Sequence, residues 1–448
     1  MPLIGAVADD LTGATTTGVL LARSKARTAV FFNEEAAENT EHGDELDAIL
    51  VSSNSRALPA DEAYEKVKSA TLALKRMGVK YFTKRIDTTL RGGVGVEIDA
   101  MLDCLPQDTI AVVVPAMPQS RRILVGGFSV IDGVALIRTP VAQDVRTPVY
   151  ENYVPKLLGN QTKREVGLIT LDVVLKGSDA IGEALKKVRS EGKEVIVVDG
   201  ITLEDVEEIA KACVELQWNV VAVDPGAFTS KLAFCRGLIE KEEPNIPEGT
   251  GEDINKTVLI GAGSATPVTA RQMEVLCEDE RVVRIPVNPI AFINGGEEAI
   301  MEVEEIVNRA MSYLDQEILP RAILMETALH GNLLNLGEED RKREYPDGLS
   351  ANRINAGLGM IISCILEQAG IGKIAGLYTT GGDTMVNVCY QLGVECIEVL
   401  DYVIAQTDVG RLSGNYKGLP IIGKGGLTGT ENTAVEVVER LFKEATRV

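Results

Sequence analysis

Apolar strands alternate with amphipathic helices along almost the whole chain, and no other property of the sequence restricts its fold as strongly. Residues 3–8, 110–115 and 220–224 are buried-strand patterns of the first half, and 257–261 and 374–378 begin similar patterns in the second half. Continuous apolar strands separated by helices are typical of parallel sheets covered on both faces. The sequence therefore predicts an α/β protein with two domains, each a mostly parallel sheet flanked by helices.

A charged segment with two prolines, residues 237–256, interrupts this alternation. A chain of 448 residues is too long for one ordinary hydrophobic core. We therefore predict a linker at 237–256, between a domain at 1–236 and a domain at 257–448.

The charge balance of −21 argues against nucleic acid or an anionic membrane as the main partner. The N-terminus has no basic segment ahead of its apolar residues, and no apolar run is long enough to span a bilayer. Seven scattered cysteines without a C-x-x-C pair indicate reduced thiols. We expect a cytoplasmic protein, and the sequence leaves its oligomeric state open, a homo-oligomer included.

The chain has only two histidines, His42 and His330. Too few histidines are present to favour a histidine-based metal centre or a Ser-His-Asp triad. We predict no dedicated metal site made of protein side chains.

Two adjacent carboxylates, Asp9 and Asp10, follow the first predicted strand and precede Thr12 and Gly13 at a helix start. An aspartate is an ordinary helix cap, which explains one of the two. Side-by-side like charges are harder to explain as a cap. Carboxylates at a strand end can bind sugar hydroxyls, and one can act as a general base toward a hydroxyl.

A cluster of cations follows a second predicted strand, at Lys84, Arg85 and Arg91, with Ile86 and Asp87 between them. In such an acidic chain this cluster is suited to binding a carboxylate, for which arginine offers a bidentate fork. Arg56, at the end of another strand, points to the same edge of the sheet. The alternative is a solvated loop with internal Asp–Arg pairs.

Three glycine-rich turns lie after strands of the second half, at 261–267, 379–384 and 423–429. Backbone N–H groups at such turns and at helix starts can bind phosphates. The first turn half-matches the dinucleotide pattern G-x-G-x-x-G, but Thr266 replaces the third glycine and no acid follows the next strand. These turns favour a nucleotide other than a nicotinamide cofactor.

The chain resembles the four-carbon acid sugar kinase family, once described as a domain of unknown function. The resemblance rests on four motifs in the family's order: Ala8–Ala14, Ile86–Gly92, Gly381–Thr384 and the last glycine-rich turn. The resemblance implies an N-terminal domain that binds an acid sugar such as threonate, erythronate or a 3-oxo relative. It also implies a C-terminal domain that binds ATP, and phosphorylation at the 4-hydroxyl. The run Lys84–Asp87 is closer to threonate-type or erythronate-type members.

Residue by residue, the resemblance implicates one set in substrate binding: Asp9, Arg56, Lys84, Arg85, Ile86 and Asp87. For the nucleotide it implicates Ser264, Gly381, Gly382, Asp383, Thr384, Gly425 and Gly426.

Our hypothesis is in-line transfer of the γ-phosphoryl group from Mg-ATP across a cleft between the two domains. Asp9 or Asp10 would bind the substrate hydroxyls, and Asp10 or Asp87 would accept the proton. Mg²⁺ would be bound mainly by ATP and water. Two alternatives stay open: an NAD-dependent oxidoreductase acting on a hydroxy acid, and a non-catalytic acid-sugar binding protein.

Overall fold

The structure, a computed structural model, describes residues 2–40, 43–144, 147–247, 251–329 and 333–446. The chain divides into two units, Met1–Pro244 and Asn245–Val448, and each has its own set of strands and helices. The described residues between Arg236 and Lys256 include neither a helix nor a strand.

The described strands of the N-terminal unit follow one another along the chain as β1 Ile4–Ala8, β2 Thr28–Phe31, β3 Ala48–Ser52, β4 Tyr81–Arg85, β5 Ile110–Val113, β6 Arg122–Val125, β7 Phe128–Ile131, β8 Val134–Ala135, β9 Val166–Ile169, β10 Val195–Val198 and β11 Val220–Asp224. Its helices are α1 Leu11–Ala22, α2 Glu34–Asn39, α3 Ala60–Arg76, α4 Val94–Leu102, α5 Val154–Gly159, α6 Leu171–Val174, α7 Ser178–Ser190, α8 Leu203–Glu215 and α9 Ala227–Cys235.

Parallel pairing joins the strands of this unit in the order β2-β3-β1-β4-β11-β5-β10-β9. Most residues of these strands are buried because helices lie on the faces of such a sheet. The register sets Ala8 opposite Ser52 on one side and Arg85 on the other, and Arg85 opposite Asp224. The residues that follow β1, β3 and β4 therefore emerge at one edge of the sheet.

The strands of the C-terminal unit are β12 Thr257–Ala262, β13 Val282–Pro286, β14 Ala322–Glu326, β15 Ile374–Thr380, β16 Cys396–Tyr402, β17 Thr407–Leu412 and β18 Pro420–Lys424. Its described helices are α10 Pro267–Leu276, α11 Pro289–Asn294, α12 Gly296–Leu314, α13 Leu336–Lys342, α14 Leu349–Ala369, α15 Gly382–Gln391 and α16 Thr433–Ala445.

In the C-terminal unit the strand order is β13-β14-β12-β15-β18-β17-β16, parallel from β13 to β18 and antiparallel at the β18–β17 and β17–β16 pairs. Amphipathic helices cover it, as α16 does with Val437, Leu441 and Phe442 on its buried face. The predicted α/β class with two mostly parallel sheets is confirmed.

Two antiparallel elements were not predicted from the sequence. The strands β6, β7 and β8 form a small separate sheet. The strand β17 could not be identified as an apolar run because it contains Asp408, Gly410 and Arg411. Glycine is required at 410 because a Cβ there would lie 2.4 Å from Ile397 Cγ2.

The helix α14 is the one described helix whose length and hydropathy match a membrane span, although no apolar run of that length was noted in the sequence. Of its most apolar window, 56% is buried within the fold. Burial of this kind is usual for a core helix that packs against neighbours on several sides.

Candidate functional site

A cluster of three aspartates and two arginines forms where β1, β3 and β4 end. Asp9 and Asp10 follow β1, Arg56 lies beyond β3, Arg85 is the last residue of β4, and Asp87 comes two residues later. The five side chains are joined by ion pairs. Five of the residues predicted to bind substrate are therefore neighbours in space.

Arg56 contacts all three carboxylates. Its Nε donates to Asp9 Oδ2 at 2.7 Å and its Nη2 to Asp9 Oδ1 at 3.1 Å, a bidentate fork. The same Nη2 lies 2.7 Å from Asp10 Oδ1 and 3.8 Å from Asp87 Oδ1. Arg56 therefore holds together acids that would otherwise repel one another.

Asp9 is the buried anchor of the cluster, with only 3% of its surface exposed. Burial by itself would raise the pKa of Asp9, but Arg56 and Arg85 lower it by more, and the pKa lies below its ordinary value. Both carboxylate oxygens already accept from arginine. Asp9 therefore positions the two guanidinium groups.

Asp10 caps helix α1, because its Oδ1 accepts from the Gly13 N–H at 2.8 Å. The same oxygen lies 3.0 Å from Arg85 Nη1 and 2.7 Å from Arg56 Nη2. Its other oxygen, Oδ2, has no hydrogen-bond partner among the described residues. The Asp10 side chain is 25% exposed, against 3% for Asp9, so it offers a free acceptor to a ligand.

Asp87 uses both of its oxygens inside the protein. Arg91 donates to Oδ2 from Nε at 2.8 Å and to Oδ1 from Nη2 at 3.2 Å, and Thr89 donates to Oδ2. Burial would raise the pKa of Asp87, but Arg56 and Arg91 hold it far below the ordinary range. Such a carboxylate accepts a proton poorly.

The guanidinium of Arg85 lies directly against Gly13. A Cβ at that glycine would stand 1.6 Å from Arg85 Nη1, so a side chain there would displace the arginine. The next residue, Ile86, buries its side chain and donates its backbone N–H to Asp224 O at 3.1 Å. Gly13 therefore allows the guanidinium of Arg85 to lie close to the backbone of helix α1.

Lys84, predicted to bind substrate, has its ammonium in the protein core. It is fully buried, forms an ion pair with Glu97 Oε2 at 2.8 Å and donates to the carbonyl oxygen of Arg85 at 2.8 Å. Ser55 donates to the other Glu97 oxygen at 2.6 Å. Glu97 was missed by sequence reasoning, although an acid within the otherwise apolar start of a predicted helix is a usable signal.

The predicted nucleotide residues meet at a second sheet edge, in the C-terminal unit. The parallel register sets Ala262, Thr380 and Lys424, the last residues of β12, β15 and β18, side by side. The turns that hold Ser264, Gly381–Thr384 and Gly425–Gly426 follow directly. All three glycine-rich turns therefore lie together.

Hydroxyl groups join the first and last of these turns. Thr266 Oγ1 donates to Gly426 O at 2.6 Å and Thr269 Oγ1 to the same oxygen at 3.1 Å, while Thr269 also contacts Ser264 Oγ at 3.2 Å. A Cβ on Gly426 would lie 2.6 Å from Ser264 Oγ, so a larger residue there would displace Ser264 or the turn. The turns are held as one surface at the start of helix α10.

The middle turn opens helix α15. Gly381 donates its N–H to Lys424 O at 2.9 Å, and Thr384 donates to Asn355 Oδ1 at 2.8 Å. Gly382 is the first helical residue, and Asp383 in the first turn is exposed. The N–H groups at this helix start face the surface where an anion is favoured.

Lys424 is a site residue to which sequence reasoning gave no role. Its side chain is 98% buried and has no carboxylate partner among the described residues; its Nζ donates to Gly425 O at 2.8 Å and Thr428 O at 3.2 Å. Burial lowers the pKa of Lys424 to about 8. An ammonium group with three donors keeps one for a ligand at this turn. A lysine next to a glycine-rich turn is the signal that could have identified it.

A mainly apolar cavity of about 310 Å³ opens beside the first turn. Its wall includes Gly263 and Ala265 from the turn, Ile290 from α11 and Ile354 and Asn355 from α14. It therefore adjoins the surface formed by the three glycine-rich turns and has space for a flat apolar group.

Metal-ligand clusters are absent from the part of the chain that the structure describes: no three His, Cys, Asp or Glu side chains are arranged to hold an ion. His42 and His330 lie outside the described residues.

Comparisons with known proteins match each half of the chain separately. Residues 4–232 match the model of a sugar-binding N-terminal domain, and residues 259–434 match that of a nucleotide-binding C-terminal domain.

Curated relatives span nearly the whole chain. A D-erythronate kinase of Heliobacterium modesticaldum is 38% identical over 97% of this chain and 96% of its own length. A D-threonate kinase of Salmonella typhimurium is 27% identical over 97% and 98%, and a 3-oxo-tetronate kinase of Cupriavidus necator is 29% identical over 89% and 88%.

A crystal structure of a Haemophilus influenzae protein is similar in fold, with a TM-score of 0.74, 21% identity and coverage of 98% of this chain and 100% of that one.

Proposed function

The chain belongs to the four-carbon acid sugar kinase family, and we propose that it transfers the γ-phosphoryl group of ATP to the 4-hydroxyl of D-erythronate. Membership makes it a kinase and a protein that uses ATP, so the oxidoreductase and binding-protein alternatives are not favoured. D-Erythronate is proposed because the D-erythronate kinase is 38% identical in sequence to this chain, whereas the D-threonate kinase is 27% identical. The observation that carries the proposal is the free acceptor of Asp10 beside two arginines.

The substrate carboxylate is proposed to bind at Arg56 and Arg85. Both guanidinium groups are oriented by Asp9, and the Nε of Arg85 has no hydrogen-bond partner within the described residues. Lys84 supports this surface from beneath through Glu97 and does not touch the ligand in this proposal. Ile86 and Asp87 shape the loop that borders the site.

The proton of the attacking hydroxyl is proposed to pass to Asp10. Its Oδ2 is free and its side chain is partly exposed, whereas Asp87 already accepts three hydrogen bonds on one oxygen. As the hydroxyl oxygen bonds to the γ-phosphorus, the bond to the β-phosphate oxygen breaks and ADP leaves with that electron pair. Asp87 positions Arg91 and, through it, the loop.

The phosphates of ATP are proposed to lie against the three turns, at Ser264, Gly381–Thr384 and Gly425–Gly426. Backbone N–H groups at the starts of α10 and α15 and the charge of Lys424 would neutralise them. The cavity beside Gly263 would take the adenine ring. Mg²⁺ would arrive with ATP and be bound largely by phosphate oxygens and water. Asp383 is the exposed carboxylate within the middle glycine-rich turn.

We predict that Gly426→Ala weakens ADP binding about tenfold, which corresponds to about 1.4 kcal/mol. The added Cβ would lie 2.6 Å from Ser264 Oγ and 3.2 Å from Thr266 Cγ2, so the two turns must separate. Isothermal titration calorimetry with ADP measures the effect. Gly372→Ala is the matched control, because a Cβ there meets nothing within 4 Å. Equal affinities in the two variants would contradict the assignment of this turn.

The proposed reaction is tested by coupled ADP release with D-erythronate, D-threonate and 3-oxo-tetronate. We expect kcat/KM for D-erythronate to exceed that for the other two acids by about tenfold or more, the discrimination that about 1.4 kcal/mol gives. A mock preparation from host cells that do not express the chain corrects for contaminating kinases. ADP release no faster than this blank with every acid would refute the proposal, and oxidation of the acid with NAD would favour a dehydrogenase.

A further inference from the structure

A cavity of the N-terminal unit lies at the opposite ends of the strands from the cluster at Asp10. It measures about 260 Å³ and is lined by Tyr81, the first residue of β4, and Val220, the first residue of β11. Arg85 ends β4, and a strand rises about 3.3 Å per residue, so the cavity is roughly 13 Å from the proposed sugar site. The two are separate places on one sheet.

The charged side chains that line this cavity are all cationic. They are Lys75, Lys80 and Arg236, and no aspartate or glutamate is part of the wall. The carboxylate adjacent in sequence, Asp108, accepts two hydrogen bonds from Asn219. In a chain with a net charge of −21, a wall of this composition points to an anion.

The guanidinium group of Arg236 has neither a hydrogen bond nor an ion pair within the described parts of the chain. It stacks over the ring of Tyr81, 4.4 Å from the centroid. Burial lowers the pKa of Arg236. Arg56, Arg85, Arg91 and Arg164, which are also shielded, are each paired with a carboxylate, and the half-buried Arg122 and Arg189 each donate to a backbone carbonyl. A desolvated guanidinium without an acid is costly, and a bound oxyanion would remove that cost.

Thr109 is the independent second observation. It lines the cavity, is only 8% exposed, and its Oγ1 is buried without a hydrogen-bond partner. A buried hydroxyl normally finds a partner, since an unsatisfied one costs about 1–3 kcal/mol. An oxyanion in the cavity would accept from this hydroxyl and from the arginine together.

We propose that this cavity is a binding site for a small oxyanion, a phosphate or a carboxylate group, held by Arg236 and Thr109 and attracted by Lys75 and Lys80. The planar fork of arginine matches both groups. The volume of about 260 Å³ limits the ligand to a small molecule. The proposal does not depend on the kinase reaction, because none of these residues belongs to the sites described above.

Trp218 allows a direct test, because it lines the cavity and is the only tryptophan of the chain. The full-length protein is titrated with inorganic phosphate and, separately, with succinate, and tryptophan fluorescence and thermal unfolding are followed. Chloride at matched ionic strength is the salt control. We expect saturable binding of at least one anion, with a rise in Tm of roughly 3–5 °C at ten times its Kd.

Two variants assign the binding to the cavity. Arg236→Met keeps an apolar stem against Tyr81 and Thr109→Val keeps the shape of the side chain; we expect the fluorescence change to be lost in the first and weakened about tenfold in the second. Without anion, Arg236→Met should unfold at the same temperature as the parent or higher, because it removes an unpaired charge. Arg121→Met, at an 82%-exposed side chain, is the charge-matched control.

Dependence of phosphate binding on Arg236 would identify a phosphate site, and dependence of succinate binding a carboxylate site. Either supports the proposal. It is overturned if chloride reproduces the response, if neither anion saturates, or if Arg236→Met and Arg121→Met bind equally well. Turnover of Arg236→Met with saturating acid sugar and ATP should stay within twofold of the parent, which distinguishes loss of this site from loss of the fold.

Discussion

Replacing Asp10 by asparagine is expected to lower kcat by about 10²–10⁴-fold, the usual loss when a general base is removed. The substitution retains the cap of α1, because the amide oxygen of asparagine can still accept from Gly13 N–H. It leaves Oδ1 in place for Arg56 and Arg85 and removes the basicity of the free oxygen. Steady-state kinetics with D-erythronate and ATP measure the loss.

Asp87→Asn is the informative comparison. Because both oxygens of Asp87 bind Arg91 and the loop, we expect this variant to raise the KM for the acid sugar and to lower Tm more than Asp10→Asn does. The base assignment is wrong if Asp10→Asn stays within about threefold of the parent in kcat. Should Asp87→Asn alone show the large loss in kcat with an unchanged Tm, the base would be Asp87.

Arg56→Met is expected to destabilise the N-terminal unit by about 3–5 kcal/mol at pH 7, the cost of leaving buried charges without their partner. Arg56 contacts Asp9, Asp10 and Asp87, and without it these carboxylates repel one another. The sole tryptophan, Trp218, lies in this unit, so urea unfolding followed by its fluorescence measures the change. Arg27→Met, at a 63%-exposed side chain, should change little.

The loss of stability in Arg56→Met should depend on pH in a defined direction. The pKa values of Asp9 and Asp87 are lowered in the folded protein, so these groups add stability above their unfolded pKa of about 3.9 and lose it as the pH falls toward the folded values. The difference between parent and Arg56→Met should therefore be largest above about pH 5 and shrink below pH 4. A difference that is constant from pH 7 to pH 3 would show that packing, and not charge, is the cause.

Sequence reasoning identified most of the side chains that meet at the two sheet edges. Asp9, Asp10 and Arg56 could be found because each follows an apolar strand, and the carboxyl ends of parallel strands share an edge. Sequence reasoning assigned no role to Glu97, Lys424 or Arg236. The residues next to them in the chain do not indicate which charged groups the fold brings near them.

The pattern of apolar residues by itself determined the two-part α/β organisation and the order of the motifs, because strand and helix periodicities are local properties of the chain. Only the tertiary structure decided which charges face one another. Lys84 and Arg85 are neighbours in β4, and adjacent strand residues point to opposite faces of a sheet, so one pairs with Glu97 in the core and the other with Asp9 and Asp10 at the site. The parallel register of β1 and β4 brings Asp9 and Asp10 beside Arg85, whereas helix α4 carries Glu97 to Lys84.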